Sequence, residues 1–259
     1  MENSKGKIML VDDSENLRYV IKDYFELAGY EVVDFKDGET ASKDYNTGKY
    51  DICIIDILLQ NKDGFTLLQE IRKIDDFVPI IILTSNNSKT ERIKGFRLGC
   101  DDYMAKPFSI EELELRVEAI LKRCKRSVNH ISKDLYEEKI YKLGNFTFNY
   151  SGMQLIHPTI TRTLTRKEAE LLKLLLDHKN KLIPREIILK EIWGEDDRAV
   201  GRSMDVFLTK LRSYLQVDSE SHIVPRAKGK RKVVYAEGYL PAVEICNVHG
   251  TGFMLKINE

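Results

Sequence analysis

The sequence lacks any apolar run of the roughly 20 residues that a membrane-spanning helix needs, and its N-terminus has no apolar segment typical of a signal peptide. It has few cysteines. Cys53, Cys100, Cys124 and Cys246 are widely separated and form no Cys-x-x-Cys pair, which favours reduced thiols over a disulfide framework or a zinc site. From these absences we expect a soluble, cytoplasmic protein without a membrane partner.

Net charge is also absent, because 41 basic residues balance 41 acidic ones. The charges are nevertheless distributed unevenly. Residues 1–125 contain 19 Lys and Arg against 24 Asp and Glu, a net of −5, whereas residues 126–259 contain 22 against 17, a net of +5. A chain of 259 residues has room for two domains, and this division predicts that the second one binds a polyanion.

In the first part, short apolar runs alternate with helical periodicities five times, an order typical of a doubly wound, five-stranded parallel sheet. Four of the runs end at a polar residue. These residues are the pair Asp12 and Asp13, then Asp56, Thr84 and Lys106. In such a sheet, ligands bind at the carboxyl ends of the strands.

Each of these polar residues has an ordinary explanation taken alone, because Asp and Thr often begin turns and Lys is usually a solvated surface group. Their coincidence at successive strand ends favours a site instead. Three neighbouring carboxylates repel one another unless a divalent cation joins them, and oxygen ligands favour Mg²⁺. We therefore predict that Asp56 is a nucleophile that accepts a phosphoryl group, whose oxygens Lys106 and Thr84 contact.

With these residues in this order, 1–125 resembles the receiver domain of two-component response regulators. The resemblance implies a CheY-like fold, a histidine kinase as phosphodonor and a cis Lys106–Pro107 bond. It implies a Mg²⁺ site formed by Asp12, Asp13, Asp56 and the Leu58 carbonyl. It also identifies Tyr103 as the switch residue, whose ring turns inward when Thr84 is drawn to the phosphoryl group; an ordinary sheet-edge aromatic is the alternative.

The resemblance further implies a homodimer of phosphorylated chains, formed by the fourth helix, fifth strand and fifth helix. Its expected ion pairs across the dimer join Arg92 to Glu112 and Asp102 to Arg116, while contacts of these charges within one chain are the alternative. One departure is Gln60, which stands where the family commonly has proline. We expect a looser loop there and a changed phosphoryl lifetime.

In the second part, residues 126–140 are charged without a clean period and are predicted to be a linker. Residues 141–259 begin with short strands around 151–152. Three helices follow, the first opened by a capping box of Thr165 and Glu168, the second at 184–193 and the third, basic on its outer face, at about 202–215. This order indicates a helix-turn-helix, although a solvated charged helix is the alternative.

The sequence from Leu164 onward resembles the α+β winged helix-turn-helix domain of OmpR/PhoB-type regulators. The similarity lies in Leu-Thr-x-x-Glu at 164–168, Glu-Ile-Trp-Gly at 191–194, Arg-Ser-x-Asp-Val at 202–206 and the wing at 248–253. It implies a loop at 196–201 that contacts RNA polymerase. The implied DNA contacts are Arg202, Ser203, Thr209, Lys210, Arg212 and, in the minor groove, His249.

Three departures, Phe207, Thr209 and His249, remove cationic or hydrogen-bonding groups that are common in this family. An apparent insertion at 220–242 adds basic residues instead, namely Arg226, Lys228, Lys230, Arg231 and Lys232. We hypothesise that these cations make the phosphate contacts that the departures remove. The alternative is a solvated loop without function.

The sequence as a whole thus predicts a phosphorylation-controlled transcription regulator and not an enzyme. A haloacid-dehalogenase-like phosphatase needs a second Asp two residues after the first, where this chain has Leu58. A flavin module needs a phosphate-binding loop after the first strand, where residues 12–15 would repel a phosphate. A regulator whose receiver acts only as a dimer scaffold is the remaining alternative.

Overall fold

The computed structural model of the protein describes residues 4–86, 88–134, 140–193, 198–216, 221–225, 231–235, 241–248 and 251–258. The chain divides into two compact units, Met1–Tyr136 and Glu137–Glu259. Among the described residues, no helix combines the length and the apolar character needed to cross a membrane.

The first unit alternates strands and helices from its beginning to its end. Its elements are β1 (Lys7–Val11), α1 (Glu15–Leu27), β2 (Glu31–Phe35), α2 (Gly38–Asp44), β3 (Ile52–Asp56), α3 (Gly64–Ile74), β4 (Ile80–Thr84), α4 (Lys89–Leu98), β5 (Asp102–Ala105) and α5 (Ile110–Asp134). The five strands form one parallel sheet in the order β2-β1-β3-β4-β5. This topology confirms the predicted doubly wound fold.

The apolar runs form the central strands because helices cover both faces of the sheet. Every residue of β3 and of β4 is buried, as expected for parallel strands without a solvated face. Helix α1 presents Ile21 and Phe25 to this core. At the end of the unit, α5 continues to Asp134, so that residues 126–134 of the predicted linker are helical.

In its described residues, the second unit combines a four-stranded antiparallel sheet with three helices, a three-stranded sheet and a two-stranded hairpin. Its elements are β6 (Ile140–Leu143), β7 (Phe146–Asn149), β8 (Gln154–His157), β9 (Ile160–Thr163), α6 (Arg166–Asp177), β10 (Ile183–Pro184), α7 (Arg185–Trp193), α8 (Arg198–Leu215), β11 (Ser221–Pro225), β12 (Arg231–Tyr235), β13 (Val243–Val248) and β14 (Gly252–Ile257). Strands β6 to β9 pair in chain order, and β10, β14 and β13 form the sheet that carries the wing. This arrangement confirms the winged helix-turn-helix class.

Three local features differ from the sequence-based expectation. Pro184 pairs with Gly252 as part of β10 and precedes α7 instead of lying in its first turn. Helix α8 begins at Arg198, before the predicted start. The apparent insertion contains an antiparallel hairpin, β11 with β12, which the sequence did not predict.

The predicted capping box at the start of α6 is supported by the hydrogen bond that its glutamate accepts. The backbone N–H of Thr165 donates to Oε2 of Glu168 at 3.0 Å, which fixes the entry of the chain into the helix. Helix α6 then buries the predicted apolar face of Ala169, Leu172, Leu175 and Leu176. This face packs against α7 and α8, which completes the helical core.

Candidate functional site

The ends of β1, β3 and β5 bring two carboxylates and an amine into direct contact. Nζ of Lys106 lies 2.7 Å from Oδ2 of Asp12 and 2.6 Å from Oδ2 of Asp56. Asp12 is fully buried and Asp56 is only 3% exposed, although both are charged residues. The Lys106–Pro107 bond is cis, as expected.

Asp13 completes a group of three carboxylates at this edge. One oxygen from each of Asp12, Asp13 and Asp56 lies within 4.8 Å of the others, and Asp13 is exposed to solvent. Both oxygens of Asp12 already accept hydrogen bonds, from the Ser14 N–H at 2.9 Å and from Lys106. Oxygen-only donors in an acidic cluster that is open to solvent at Asp13 fit a Mg²⁺ ion.

The environment raises the pKa of both central groups, the Asp56 carboxyl and the Lys106 ammonium. Burial raises the pKa of the Asp56 carboxyl, and the neighbouring Asp12 adds to the rise, while Lys106 opposes it. Burial alone would lower the pKa of Lys106, but hydrogen bonds and charge from Asp12 and Asp56 outweigh it and raise that pKa. A second positive charge at the cluster would therefore favour the ionised Asp56 that a nucleophile requires.

The loop after Asp56 lies against the start of α3 because Gly64 allows it. A Cβ at Gly64 would lie 2.0 Å from the Asp56 carbonyl oxygen, so only glycine fits at this position. The Leu58 N–H donates to Oδ1 of Asp56 at 3.2 Å, and the expected role of the Leu58 carbonyl as a metal ligand stays a prediction.

The same loop contains Gln60 at the position where proline was expected. Nζ of Lys62 lies 2.7 Å from Oε2 of Glu70 on α3, and Oγ of Ser42 donates to the same oxygen at 2.7 Å. The Lys62 N–H also donates to the Gln60 carbonyl at 2.8 Å. These contacts hold the loop to α2 and α3 without a proline ring; the expected change in phosphoryl lifetime stays a prediction.

Thr84 and Tyr103 meet at one main-chain group, the carbonyl of Asn86. The Thr84 hydroxyl donates to it at 3.2 Å and accepts the Asn86 N–H at 3.0 Å, while the Tyr103 hydroxyl donates to it at 3.4 Å. The Tyr103 ring is buried against Phe96, and burial raises its pKa to about 12. Thr84 is thus close to the acidic edge with its hydroxyl turned to its own loop.

The charges predicted to pair across a dimer have partners within the chain. Arg116 lies 2.9 Å from Oδ2 of Asp102 and 2.7 Å from Oε1 of Glu112. Burial lowers the pKa of Arg116, but these two carboxylates outweigh it and raise that pKa. Arg92 lies on α4, on a different element from its expected partner Glu112. In a single molecule, Asp102 and Arg116 therefore pair within the chain, which is the alternative to an ion pair across the dimer.

In the second unit, two expected DNA contacts are engaged inside the domain. Nζ of Lys210 lies 2.7 Å from Oε1 of Glu168, whose side chain is 2% exposed. Nε of Arg212 donates to the Ile245 carbonyl of β13 at 2.9 Å, and its guanidinium is half-buried, which corrects the expectation of an exposed side chain. Thr209 is exposed as predicted, with its hydroxyl donating to the Asp205 carbonyl at 2.7 Å.

The remaining predicted contacts are described only in part. Arg202 and Ser203 lie on the backbone of α8, and Arg231 and Lys232 lie on that of β12. His249, Arg226, Lys228 and Lys230 lie outside the described residues, as does part of the 196–201 loop.

Sequence reasoning missed two cations that organise this unit. Arg185, at the start of α7, makes a two-pronged ion pair with Asp205 of α8, with N–O distances of 2.8 and 3.1 Å. Lys167 is 4% exposed, and its ammonium donates to the Ile192 carbonyl near the end of α7 and lies 5.4 Å from the Trp193 ring. Its position just after the capping Thr165 gave no sign of burial, because charged residues near a helix start are usually solvated.

An acidic phosphoacceptor-type pocket on a five-stranded parallel sheet, joined to a winged helix-turn-helix, defines a response regulator with a DNA-binding output domain. The family model "Response regulator receiver domain" matches residues 8–118, and "Transcriptional regulatory protein, C terminal" matches residues 161–240. The chain belongs to the OmpR/PhoB-type response regulators. It is accordingly a transcription regulator of two-component signalling and not an enzyme.

Individual relatives match most of the chain and extend across both units. The transcriptional regulatory protein RprY of Bacteroides fragilis is 38% identical over 257 residues, which are 99% of this chain and 97% of the relative. The alkaline phosphatase synthesis transcriptional regulatory protein PhoP of Bacillus subtilis is 32% identical over 219 residues, 84% of this chain and 91% of the relative. A solved RitR mutant is similar in fold, with a TM-score of 0.70 at 20% identity, covering 98% of this chain and 100% of its own.

Proposed function

We propose that a histidine kinase transfers a phosphoryl group to Asp56 and that this transfer controls binding of the second unit to DNA. The observation that carries the proposal is the contact of Lys106 with both Asp12 and Asp56 beside the exposed Asp13. Such a cluster combines an attacking carboxylate with a cation for the incoming phosphoryl oxygens.

Asp13, Asp56 and the Leu58 carbonyl would hold Mg²⁺, next to Asp12. The ion would supply positive charge to the carboxylates and to the phosphoryl oxygens. A carboxylate oxygen of Asp56 attacks the phosphorus of the kinase's phosphohistidine, so that an O–P bond forms while the N–P bond breaks and the kinase histidine leaves. Lys106 holds one phosphoryl oxygen, and the Thr84 hydroxyl exchanges the Asn86 carbonyl for another. The Asn86 carbonyl then keeps Tyr103 as its donor, which links phosphorylation to the buried ring.

Phosphorylation would then favour a homodimer formed by α4, β5 and α5, with Arg92 and Glu112 pairing across it. Arg116 and Asp102 already pair within the chain, so the dimer has to exchange this contact or share it. Exposed pairs are worth only about 0 to 1 kcal/mol each, so they would select the register of the dimer rather than hold it together.

For the DNA-binding unit we propose that α8 enters the major groove and the wing the minor groove, through Arg202, Ser203, Thr209 and His249. Lys210 and Arg212 were expected in the same role, but their contacts with Glu168 and Ile245 favour a structural one. Contact with RNA polymerase through residues 196–201 remains a prediction from the resemblance. A cytoplasmic location follows from DNA as the proposed target.

The basic hairpin of the insertion is proposed to add phosphate contacts. In the sequence, its five cations fall between the end of β11 and the second residue of β12, a spacing at which they could meet a polyanion together. Replacing all five by alanine should make the dependence of log K on log salt shallower, by about 0.9 for each phosphate that the variant no longer neutralises. An unchanged slope would remove the hairpin from the interface.

The first experiment measures DNA binding of the full chain by fluorescence anisotropy, with a duplex pool from the source genome. Mg²⁺ and beryllofluoride, which mimics the phosphoryl group, should tighten binding in a dimer-dependent way. Asp56→Asn should lose this response and keep the basal affinity. Binding that ignores beryllofluoride would instead support a receiver that serves only as a dimer scaffold.

A further inference from the structure

We propose that Arg212 and Arg185 hold the wing strand β14 in a fixed position beside α8, by clamping the ring of Phe253. In this role Arg212 is a positioning residue and not a DNA contact. The inference rests on the proposed DNA-binding function. We refer to Arg185, Asp205, Arg212 and Phe253 as the wing clamp.

Arg212 is directed towards the wing sheet. Its Nε donates to the Ile245 carbonyl on β13 at 2.9 Å, and its guanidinium carbon lies 5.8 Å from the centre of the Phe253 ring. The Arg212 side chain is only partly exposed, so part of it is shielded from water. A side chain that served mainly to reach a phosphate would retain that water in the absence of DNA.

Arg185 approaches the same ring from the start of α7. Its guanidinium carbon lies 6.0 Å from the ring centre of Phe253, and its two terminal nitrogens hold both oxygens of Asp205 at 2.8 and 3.1 Å. Its backbone N–H also donates to the Thr251 carbonyl at 3.4 Å, just before β14. Paired hydrogen bonds to a carboxylate fix the plane of a guanidinium more firmly than a single contact does.

The two cations connect α8 to the wing twice. Asp205 and Arg212 are seven residues apart, which is two helical turns, so both lie on one face of α8. The chain of contacts runs from Asp205 through Arg185 and Phe253 to Arg212 and closes on the same helix. Phe253 is 4% exposed and therefore enclosed.

The strand that carries Phe253 is itself fixed. Gly252 lies so close to β10 that a Cβ there would be 2.0 Å from the Ile183 carbonyl oxygen. Because β14 is packed this closely against β10, fixing the Phe253 ring would also fix the strand from which the wing begins. Because the recognition helix and the wing must enter neighbouring grooves at once, their separation decides whether both fit.

The test uses the full chain with beryllofluoride and a duplex selected by the unsubstituted protein from random sequences. In Arg212→Gln we expect about tenfold weaker binding and loss of minor-groove protection from hydroxyl radicals. Protection of guanine N7 in the major groove should persist, because α8 still docks. Arg212→Lys should not restore the wing footprint, since Lys keeps the charge but not the planar group.

Three further variants complete the test. Arg185→Gln should give the same footprint as Arg212→Gln, and the double variant should be no weaker than either single one. Lys256→Gln removes an exposed cation from the same strand β14 and should leave the wing footprint intact. If Arg212→Lys restores affinity and Arg212→Gln lowers the salt slope by about 0.9, Arg212 contacts a phosphate and the clamp is refuted.

Amide hydrogen exchange tests the wing clamp without DNA. It therefore distinguishes a failure of the wing clamp from a failure of the proposed DNA binding. In Arg212→Gln, amides of β13 and β14 should exchange about tenfold faster, while those of α6 remain unchanged and report an intact fold. Unchanged exchange in β13 and β14 would overturn the clamp even if the protein binds DNA. Faster exchange in a protein that selects no duplex would uphold the clamp and reject DNA binding.

Discussion

Replacing Gly64 by alanine is the sharpest perturbation of the phosphoacceptor pocket that the structure offers. The added Cβ would lie 2.0 Å from the Asp56 carbonyl oxygen and 2.9 Å from both the Asp56 carbonyl carbon and Cα of Ile57. Nonbonded heavy atoms prefer separations of roughly 3.5 Å, so the shortest contact falls about 1.5 Å short. All three neighbours are backbone atoms, and the end of β3 therefore has to move.

The magnitude follows from two opposing effects. Overpacking costs about 1 to 3 kcal/mol, and a clash with backbone falls at the upper end of that range. Alanine also restricts the unfolded chain more than glycine does, which stabilises the folded protein by about 0.4 to 1 kcal/mol. We therefore expect Gly64→Ala to lower the free energy of unfolding by about 2 kcal/mol. A displacement of about 1 Å at Asp56 should slow its phosphorylation about 100-fold.

The assay follows phosphorylation of the full chain by acetyl phosphate and Mg²⁺ on phosphate-affinity gels, with amide exchange of the first unit as the stability measurement. Gly38→Ala is the matched control, because the nearest neighbours of its Cβ would be side-chain atoms of Lys62 at 3.2 to 3.3 Å, which need to move by only a few tenths of an ångström. We expect it to change stability by less than about 0.5 kcal/mol. A Gly64→Ala protein that matches this control in both measurements would refute the reasoning.

Two further predictions concern stability. Arg72 and Asp101 form an ion pair at 3.1 Å with side chains 9% and 6% exposed, so Arg72→Leu should cost about 3 to 5 kcal/mol in urea unfolding; a decrease below about 1 kcal/mol would contradict it. Hydrogen bonds from Lys62 and Ser42 lower the pKa of Glu70 below its ordinary 4.5. The contribution of the ionised Glu70 carboxylate to the free energy of unfolding is therefore complete above pH 4.5 and is lost as the pH falls through the folded-state pKa. Glu70→Gln should flatten the acid side of the stability curve, whereas parallel curves would show that the pair contributes nothing.

The receiver was predictable from the sequence because its signals are local. Each central strand is a short apolar run, and parallel strands place the residues that follow them at one edge, so the positions of Asp12, Asp56 and Lys106 along the chain already indicated that they meet. The start of α6 was predictable for the same reason, since Thr165 and Glu168 are three residues apart.

What escaped prediction depends on contacts between distant segments. The helical period places Arg212 on the outer face of the third helix, as expected for a DNA contact. Only the fold shows that its partner is the Ile245 carbonyl, 33 residues away. Lys210 similarly meets Glu168, 42 residues earlier. Helix α5 continues to Asp134, although residues 126–134 are charged and have no clean apolar period that would have predicted a helix there.

The ion pair between Lys210 and Glu168 also bears on how the protein searches a genome. It neutralises a cation on the recognition helix, and cations there set the affinity for arbitrary sequences. Because less positive charge faces the DNA, a single molecule should dissociate quickly from non-specific sites and spend little time bound to them. In the proposed phosphorylated dimer, two joined copies on adjacent half-sites would stay bound longer than one chain, which would widen the difference in DNA occupancy between the unphosphorylated and the phosphorylated protein.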